Sequence, residues 1–355
     1  MRPDRSRRFS PWGTLILLVS LGGCTVDPPA AALPASPGPA PGGEQRQATP
    51  PNAAPSDAPP PAVASALAST APAAPPGTGA PAGTAPAGEA TQSYPWMADE
   101  SLQVLEAVDS VEDRFPPPPG FARVEVARSS FGAWLRRLPL AAPGTPVLSY
   151  AGSTILAPDD PHLGAVVAID VGKADLQQCA DAIIRLHAEW QWSQGRRDIS
   201  YQAGSGSPMP LSRWTRGERP VGKKQSIAWE PRRSRADKNE HASFRAYLDH
   251  VFMWANTGSL STQAMKITPN ELRPGDFVVQ PGGPGHSVIV LDLAVARDGR
   301  RVALLGQSFM PAQRFHVLRP GGSSAWFTID PGAPGIKTPF WPTFKWATLR
   351  RLDGA

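Results

Sequence analysis

Apolar positions recur at helical or strand spacing over the last three quarters of the chain and nowhere in the stretch before Tyr94. Leu102, Leu105, Val108 and Val111 predict a polar helix over 98–114, ended by Phe115 and the four prolines that follow. Phe121 to Val126 reads as a strand. Ser129 to Leu138 reads as a short helix with Phe131, Trp134, Leu135 and Leu138 inward. The almost wholly apolar run Gly164 to Val171 predicts a buried strand. Leu176, Ile183, Leu186 and Trp190 then place a helix over 175–190, and its Asp175-x-x-Gln178 start predicts a capping box. A second long helix follows over 242–257, with Phe244, Tyr247, Leu248, Val251, Phe252 and Ala255 inward. Arg273-Pro-Gly-Asp276 is a turn leading into a strand that ends at Gln280, and Pro281 to Gly285 is a glycine-rich turn. A strand begins at His286 and runs to Leu293. Asp298-Gly299 reverses the chain, and Val302 to Gly306 returns antiparallel, ending in Gln307-Ser308. In the tail, Phe340, Phe344 and Trp346 alternate as one strand face, so core packing is the first expectation for them. Together these elements predict a single α+β domain over residues 96–355.

Composition explains the silent stretch. Eighteen prolines and 21 alanines fall within residues 25–95, too little apolar surface to offset the entropy of ordering, so a disordered linker is expected there. Residues 1–24 have a basic start (Arg5, Arg7, Arg8), a short apolar run from Leu15 to Leu21, and small residues before Cys24, the form of a signal peptide. Leu21-Gly-Gly-Cys24 resembles a bacterial lipobox, which implies a lipidated Cys24 and attachment to a membrane. With Thr rather than Asp at residue 25, the resemblance implies the outer membrane, facing the periplasm. The linker is then a tether that spans about 45–50 Å as a flexible coil. The net charge of +5 is a mild excess. The densest basic run, Arg232, Arg233, Arg235 and Lys238, is interleaved with Glu230 and Asp237, which reads as a solvated loop rather than a nucleic-acid surface.

Two cysteines in the whole chain exclude a disulfide scaffold and a four-thiolate zinc site, and His241 and His250 lack the spacing of a zinc motif. No metal or other cofactor is expected. The remaining cysteine, Cys179, falls in the first turn of its helix, where the helix N-terminus favours a thiolate. A small buried hydrophobe is the alternative role for it. His286 opens a strand, and Gln307 ends the neighbouring one. Each has its own plain reading, a locally satisfied turn histidine and a strand-end amide. Together they make a nucleophile, a base and an orienting amide: Cys179, His286 and Gln307. Asp292 is a poorer orienter, since six residues along a strand place it about 20 Å from His286.

The order Cys, His, polar, together with the Pro-Gly-Asp turn and the His-x-Val strand, is similar to the papain-like cell-wall amidases and peptidases of the NlpC and CHAP type. That resemblance implies a papain-like core, with the Cys-bearing helix packed on an antiparallel sheet. The segment Gln178-Cys179-Ala180-Asp181 departs from the Asp-Cys-Ser-Gly start common in that group, and its upstream tyrosine has no match here. A broader resemblance, from about Phe115 to Leu352, is to domain-of-unknown-function family 4846. It is carried by Ser130 to Leu140, Asp175 to Ala182, Pro284 to Val290, and Gln307 to Gln313 with His316-Val-Leu. The expected function is a lipid-anchored envelope thiol hydrolase or transferase acting on amide bonds, with peptidoglycan peptide as substrate. The alternative is a non-catalytic envelope lipoprotein of the same fold that binds wall glycan or a partner protein.

Overall fold

The computed structural model describes residues 94–224, 226–232 and 240–355. The expected signal peptide with Cys24, nearly all of the expected linker and most of the Arg232–Lys238 run lie outside the described residues. The fold is α+β, built on one antiparallel sheet of nine strands. The elements used below are strand β1 (Phe121–Arg123), helix α1 (Phe131–Arg136), β2 (Leu163–Val166), α2 (Cys179–Ser193), α3 (Glu240–Trp254), α4 (Thr257–Gln263) and β3 (Met265–Lys266). They continue with β4 (Phe277–Gln280), β5 (His286–Ala296), β6 (Arg301–Gln307), β7 (His316–Leu318), β8 (Trp326–Ile329), β9 (Gly335–Thr338), β10 (Trp341–Lys345) and β11 (Leu349–Arg351). The main path of the sheet runs β3-β11-β4-β5-β6-β7-β2, with β1 added to β5 and β8 to β6. Strands β9 and β10 form a separate hairpin. No helix among the described residues is long and apolar enough to cross a membrane.

Both faces of the sheet are covered. Phe277, Val279, Ile289 and Leu291 point towards α2 and share one apolar cluster with Ile183, Leu186 and Trp190. Val278, Val288 and Val290 point the other way and pack with Phe327, Phe344 and Leu349. This is the period-two alternation of a strand with a core on each side.

Three sequence expectations change. Residues 98–114 are not one helix. A 3-10 turn at Pro95–Ala98 and a four-residue helix at Val111–Arg114 flank an irregular stretch. Asp99 Oδ1 accepts from the Ser101 amide and hydroxyl, and Asp109–Ser110 pairs with Pro139–Leu140. Short polar side chains that bond their own backbone compete with helix, and here they prevail. The strand expected over 164–171 covers only Leu163–Val166. The capping box is shifted by one turn: Gln178 is the N-cap and donates its amide to Asp181 Oδ2 at 3.2 Å. Asp175 instead accepts from the Gln178 side chain and from the Ala312 amide.

A buried ionic network holds α2 and α3 together. Arg185, fully buried, donates to Asp170 Oδ1 (2.8 Å), Glu189 Oε1 (2.7 Å) and Gln177 Oε1 (3.1 Å). Arg245 of α3 donates to the other oxygen of Asp170 at 3.1 Å and pairs with Asp249. Against the cost of burial, the two guanidinium groups hold the Asp170 carboxyl down at about 2. His241 joins Asp99 Oδ2 (2.7 Å) to Glu189 Oε2 (3.0 Å), which fastens the N-terminal arm to both helices. The arm also seats Trp96, whose Nε1 donates to the Ala168 carbonyl at 2.7 Å.

Removing one member of such a network leaves the others charged and unpaired. Arg185→Met should therefore cost about 3–5 kcal/mol, read as a lowered urea midpoint. His241 gives a pH signature. Burial opposes its charge, but Glu189 and Asp99 outweigh burial and the repulsion of Arg185, so its pKa lies above the ordinary 6.5. Its contribution to stability is complete below 6.5 and is lost as pH rises through the higher folded value. A thermal midpoint that falls over this range in the native chain should fall less in His241→Gln.

Candidate functional site

Cys179 is the first residue of α2, and β5 passes beneath it. Ser287 faces the thiol. The Ala180 and Ser287 amides and the Ser287 hydroxyl favour the thiolate, but burial and then the Asp181 carboxylate outweigh them, and the thiol is pushed up to about 11. The helix start alone suggests the reverse direction. The reason for the difference is that the side chain is only 4% exposed and has an acid two residues along. Burial in turn raises Asp181 well above the usual carboxylate range, against the backbone hydrogen bonds from Gln178 and its own amide. Its Oδ1 has no hydrogen-bond partner among the described residues.

His286 begins β5 one residue earlier and so leaves the strand on the opposite face. Gly285 brings the chain into that position. A side chain there would come within 2.3 Å of Thr257 Oγ1 and 2.8 Å of the Gln280 carbonyl, so only glycine fits the turn. The imidazole is enclosed by Phe309 (ring centroids 4.4 Å apart), Trp341 (5.0 Å) and Phe344 (5.9 Å), the last two from the β9–β10 hairpin. Its Nε2 lies 2.8 Å from Gln307 Oε1. The amide nitrogen of Gln307 lies 3.4 Å from His316 Nε2, and His316 Nδ1 lies 3.0 Å from the Arg314 carbonyl.

These contacts fix the proton positions. A carbonyl can only accept, so His316 carries its proton on Nδ1 and receives the Gln307 amide on Nε2. Gln307 Oε1 must then accept from His286 Nε2–H, which leaves a lone pair on His286 Nδ1. That atom is buried and has no hydrogen-bond partner among the described residues. Burial depresses both histidines to about 4, so both are neutral at pH 7.

The structure thus brings His286 and Gln307 together and gives Cys179 a different neighbour, Ser287. No hydrogen bond joins Cys179 to His286 among the described residues. All three candidate side chains are buried, with His286 at 0% and Gln307 at 2% exposure. Asp292 does no orienting. It is fully buried and bound by Arg123 and Arg136, each at 2.6 Å. His316, which completes the relay, lies nine residues beyond Gln307, and its place at the start of a strand beside Gln307 is the signal that could have found it.

The tail aromatics divide as well. Of the alternating face, Phe344 is core and Phe340 and Trp346 are half-buried against the same cluster, while Trp341 is half-buried over His286.

A thiol in this state should be slow to react. In the native chain near neutral pH, Cys179 should label with a thiol reagent at least about 100-fold more slowly than in the unfolded chain. The check is a rate measurement with and without denaturant, using protein in which Cys24 is lipidated or removed.

No curated protein and no solved structure matches the chain. A family model, domain of unknown function 4846, matches residues 111–351, a span that holds α2, His286, Gln307 and all of the main sheet but not the linker. The chain belongs to that family.

Proposed function

We propose that this chain is a lipid-anchored protein of the cell envelope whose folded domain binds the peptidoglycan layer and does not cleave it. One observation carries the non-catalytic part: Cys179 of α2 packs over one face of β5, on Ser287, and His286 leaves β5 on the other face, each closed from solvent. A thiol hydrolase needs a base within hydrogen-bond reach of the sulfur and an open path for a carbonyl carbon to the same sulfur. Here the thiol keeps its proton up to about 11 and the imidazole stays neutral down to about 4, so no thiolate–imidazolium pair forms at neutral pH. The envelope part is supported by the lipobox-like Leu21-Gly-Gly-Cys24 and by the length of the tether after it. A lipid on Cys24 at the outer membrane, facing the periplasm, leaves the domain free to reach the wall.

One observation favours a second reading, the papain-like thiol hydrolase. His286 Nε2 is fixed by Gln307 and its Nδ1 lone pair is free, which is half of a working relay. In that reading the start of α2 or the β9–β10 hairpin moves to bring the thiol to the imidazole.

Incubation of the full chain with purified peptidoglycan separates the two. The chain should sediment with the wall, release no soluble peptide, and behave the same as Cys179→Ala. New free amines that disappear in Cys179→Ala would establish the hydrolase. A chain that stays in the supernatant and releases nothing would overturn wall binding.

A further inference from the structure

A concavity lies away from His286 and shares with the relay only Arg314, whose backbone carbonyl accepts from His316 while its side chain lines the pocket. It has a volume of about 370 Å³, enough for a small ligand. Its walls come from the N-terminal arm, the 148–152 loop, the segment after β2, α3 and the chain leading into β7. Leu102, Leu105 and Leu148 supply an apolar side, and Lys173, Arg245 and Arg314 bring three cationic heads.

The charges are unevenly satisfied. Arg245 is saturated by Asp170 and Asp249. Arg314 has no carboxylate partner among the described residues, and neither has Lys173. Of the five N–H donors of the Arg314 guanidinium, one is used, by Nη1 on the Pro146 carbonyl at 3.2 Å. Partial burial with no compensating acid lowers the Arg314 pKa. Asp170 and Asp249 are the carboxylates of the pocket. Against three cations they leave a single positive charge over, which suits one carboxylate better than a phosphate dianion.

We propose that this pocket binds the free carboxylate end of a short peptide, with Arg314 and Lys173 on the carboxylate and the leucine side against the adjoining residues. The planar Arg fork matches a carboxylate in two parallel bonds, and Lys173 adds a mobile point charge. The pocket is built in advance. Gly172, at φ +89°, passes so close to Arg245 that a side chain there would come within 2.8 Å of Nη2, and Arg245 is held by the ionic network behind it. The choice of a peptide ligand rests on the wall-binding reading; the choice of a carboxylate rests on the pocket alone.

Titration calorimetry of the full chain tests it, with the N-acetylated dipeptide N-acetyl-D-alanyl-D-alanine as the probe, its C-terminal amide as the uncharged control, and inorganic phosphate as the competing anion. The acid should bind at least about tenfold more tightly than the amide or phosphate. Arg314→Gln should weaken the acid about tenfold or more and leave the amide unchanged. Lys173→Gln, at an exposed position, should weaken the acid about threefold and reduce its salt dependence. Equal affinity for acid and amide, tighter binding of phosphate, no binding of the dipeptide, or an acid titration unchanged in both variants would overturn the assignment. A chain that sediments with peptidoglycan but ignores the dipeptide defeats the pocket and leaves wall binding intact. Dipeptide binding that depends on Arg314, without sedimentation, does the reverse.

Discussion

The fold depends on a buried cation with two acids. Arg185 has no exposure, and an uncompensated guanidinium at such depth would cost several kcal/mol. Its donors are spent on Asp170, Glu189 and Gln177, which come from the approach to α2 and from α2 itself. Asp170 is held in turn by Arg245, and Glu189 by His241. Each partner comes at a fixed angle, so the network sets the rotation of α2 about its axis. Arg185 and Glu189 lie about 100° round that helix from the stripe of Cys179, Ile183, Leu186 and Trp190. With the charged edge against α3, the stripe must lie on the sheet, and Cys179 is pressed onto Ser287.

The state of the thiol and the imidazole follows from that placement. Strand β5 separates two buried compartments. On the α2 side the Cys179 thiol and the Asp181 carboxyl, both raised by burial, share a pocket closed by packing. On the hairpin side a linear chain of hydrogen bonds runs from the Arg314 carbonyl through His316 and Gln307 to His286. Each link of that chain joins one donor to one acceptor, and the terminal His286 Nδ1 is a buried atom with no partner among the described residues. Burial makes both histidines poor bases, although the same depth makes each hydrogen bond strong.

Much of the scaffold is legible in the sequence because its apolar spacing is regular. The helix Glu240–Trp254, the helix Phe131–Arg136 and the β5–β6 hairpin lie where the pattern puts them. The relation of Cys179 to His286 is not legible, and the cause is specific. β5 is buried on both faces, so Val288, Ile289, Val290 and Leu291 are apolar without alternation. An alternating strand would have marked its core face; this one does not, and a shift of one residue decides whether His286 or Ser287 meets the helix. The ionic network is hidden for another reason. Arg185 and Glu189 at i and i+4 look like a solvent-exposed pair, but Arg185 also takes Asp170 from before the helix, and Glu189 is taken by His241 from a helix more than fifty residues away.

The N-terminal arm of the domain belongs to this same system of charges. Asp99 is bound to His241, and two residues later Ser101 begins the stretch that walls the Arg314 pocket together with Leu102, Gln103 and Leu105. Across the pocket, Arg245 is bound to Asp170, which also holds Arg185. Opposite walls of one cavity are therefore fixed by a single hydrogen-bonded network, and ordering them costs nothing further when a ligand enters. Because the arm supplies one wall, the pocket is complete only while Trp96 is seated and the Asp99–His241 pair is formed. A small anion bound there would hold the arm in place, and the docked arm would hold the anion, since the two equilibria are linked with equal strength in both directions.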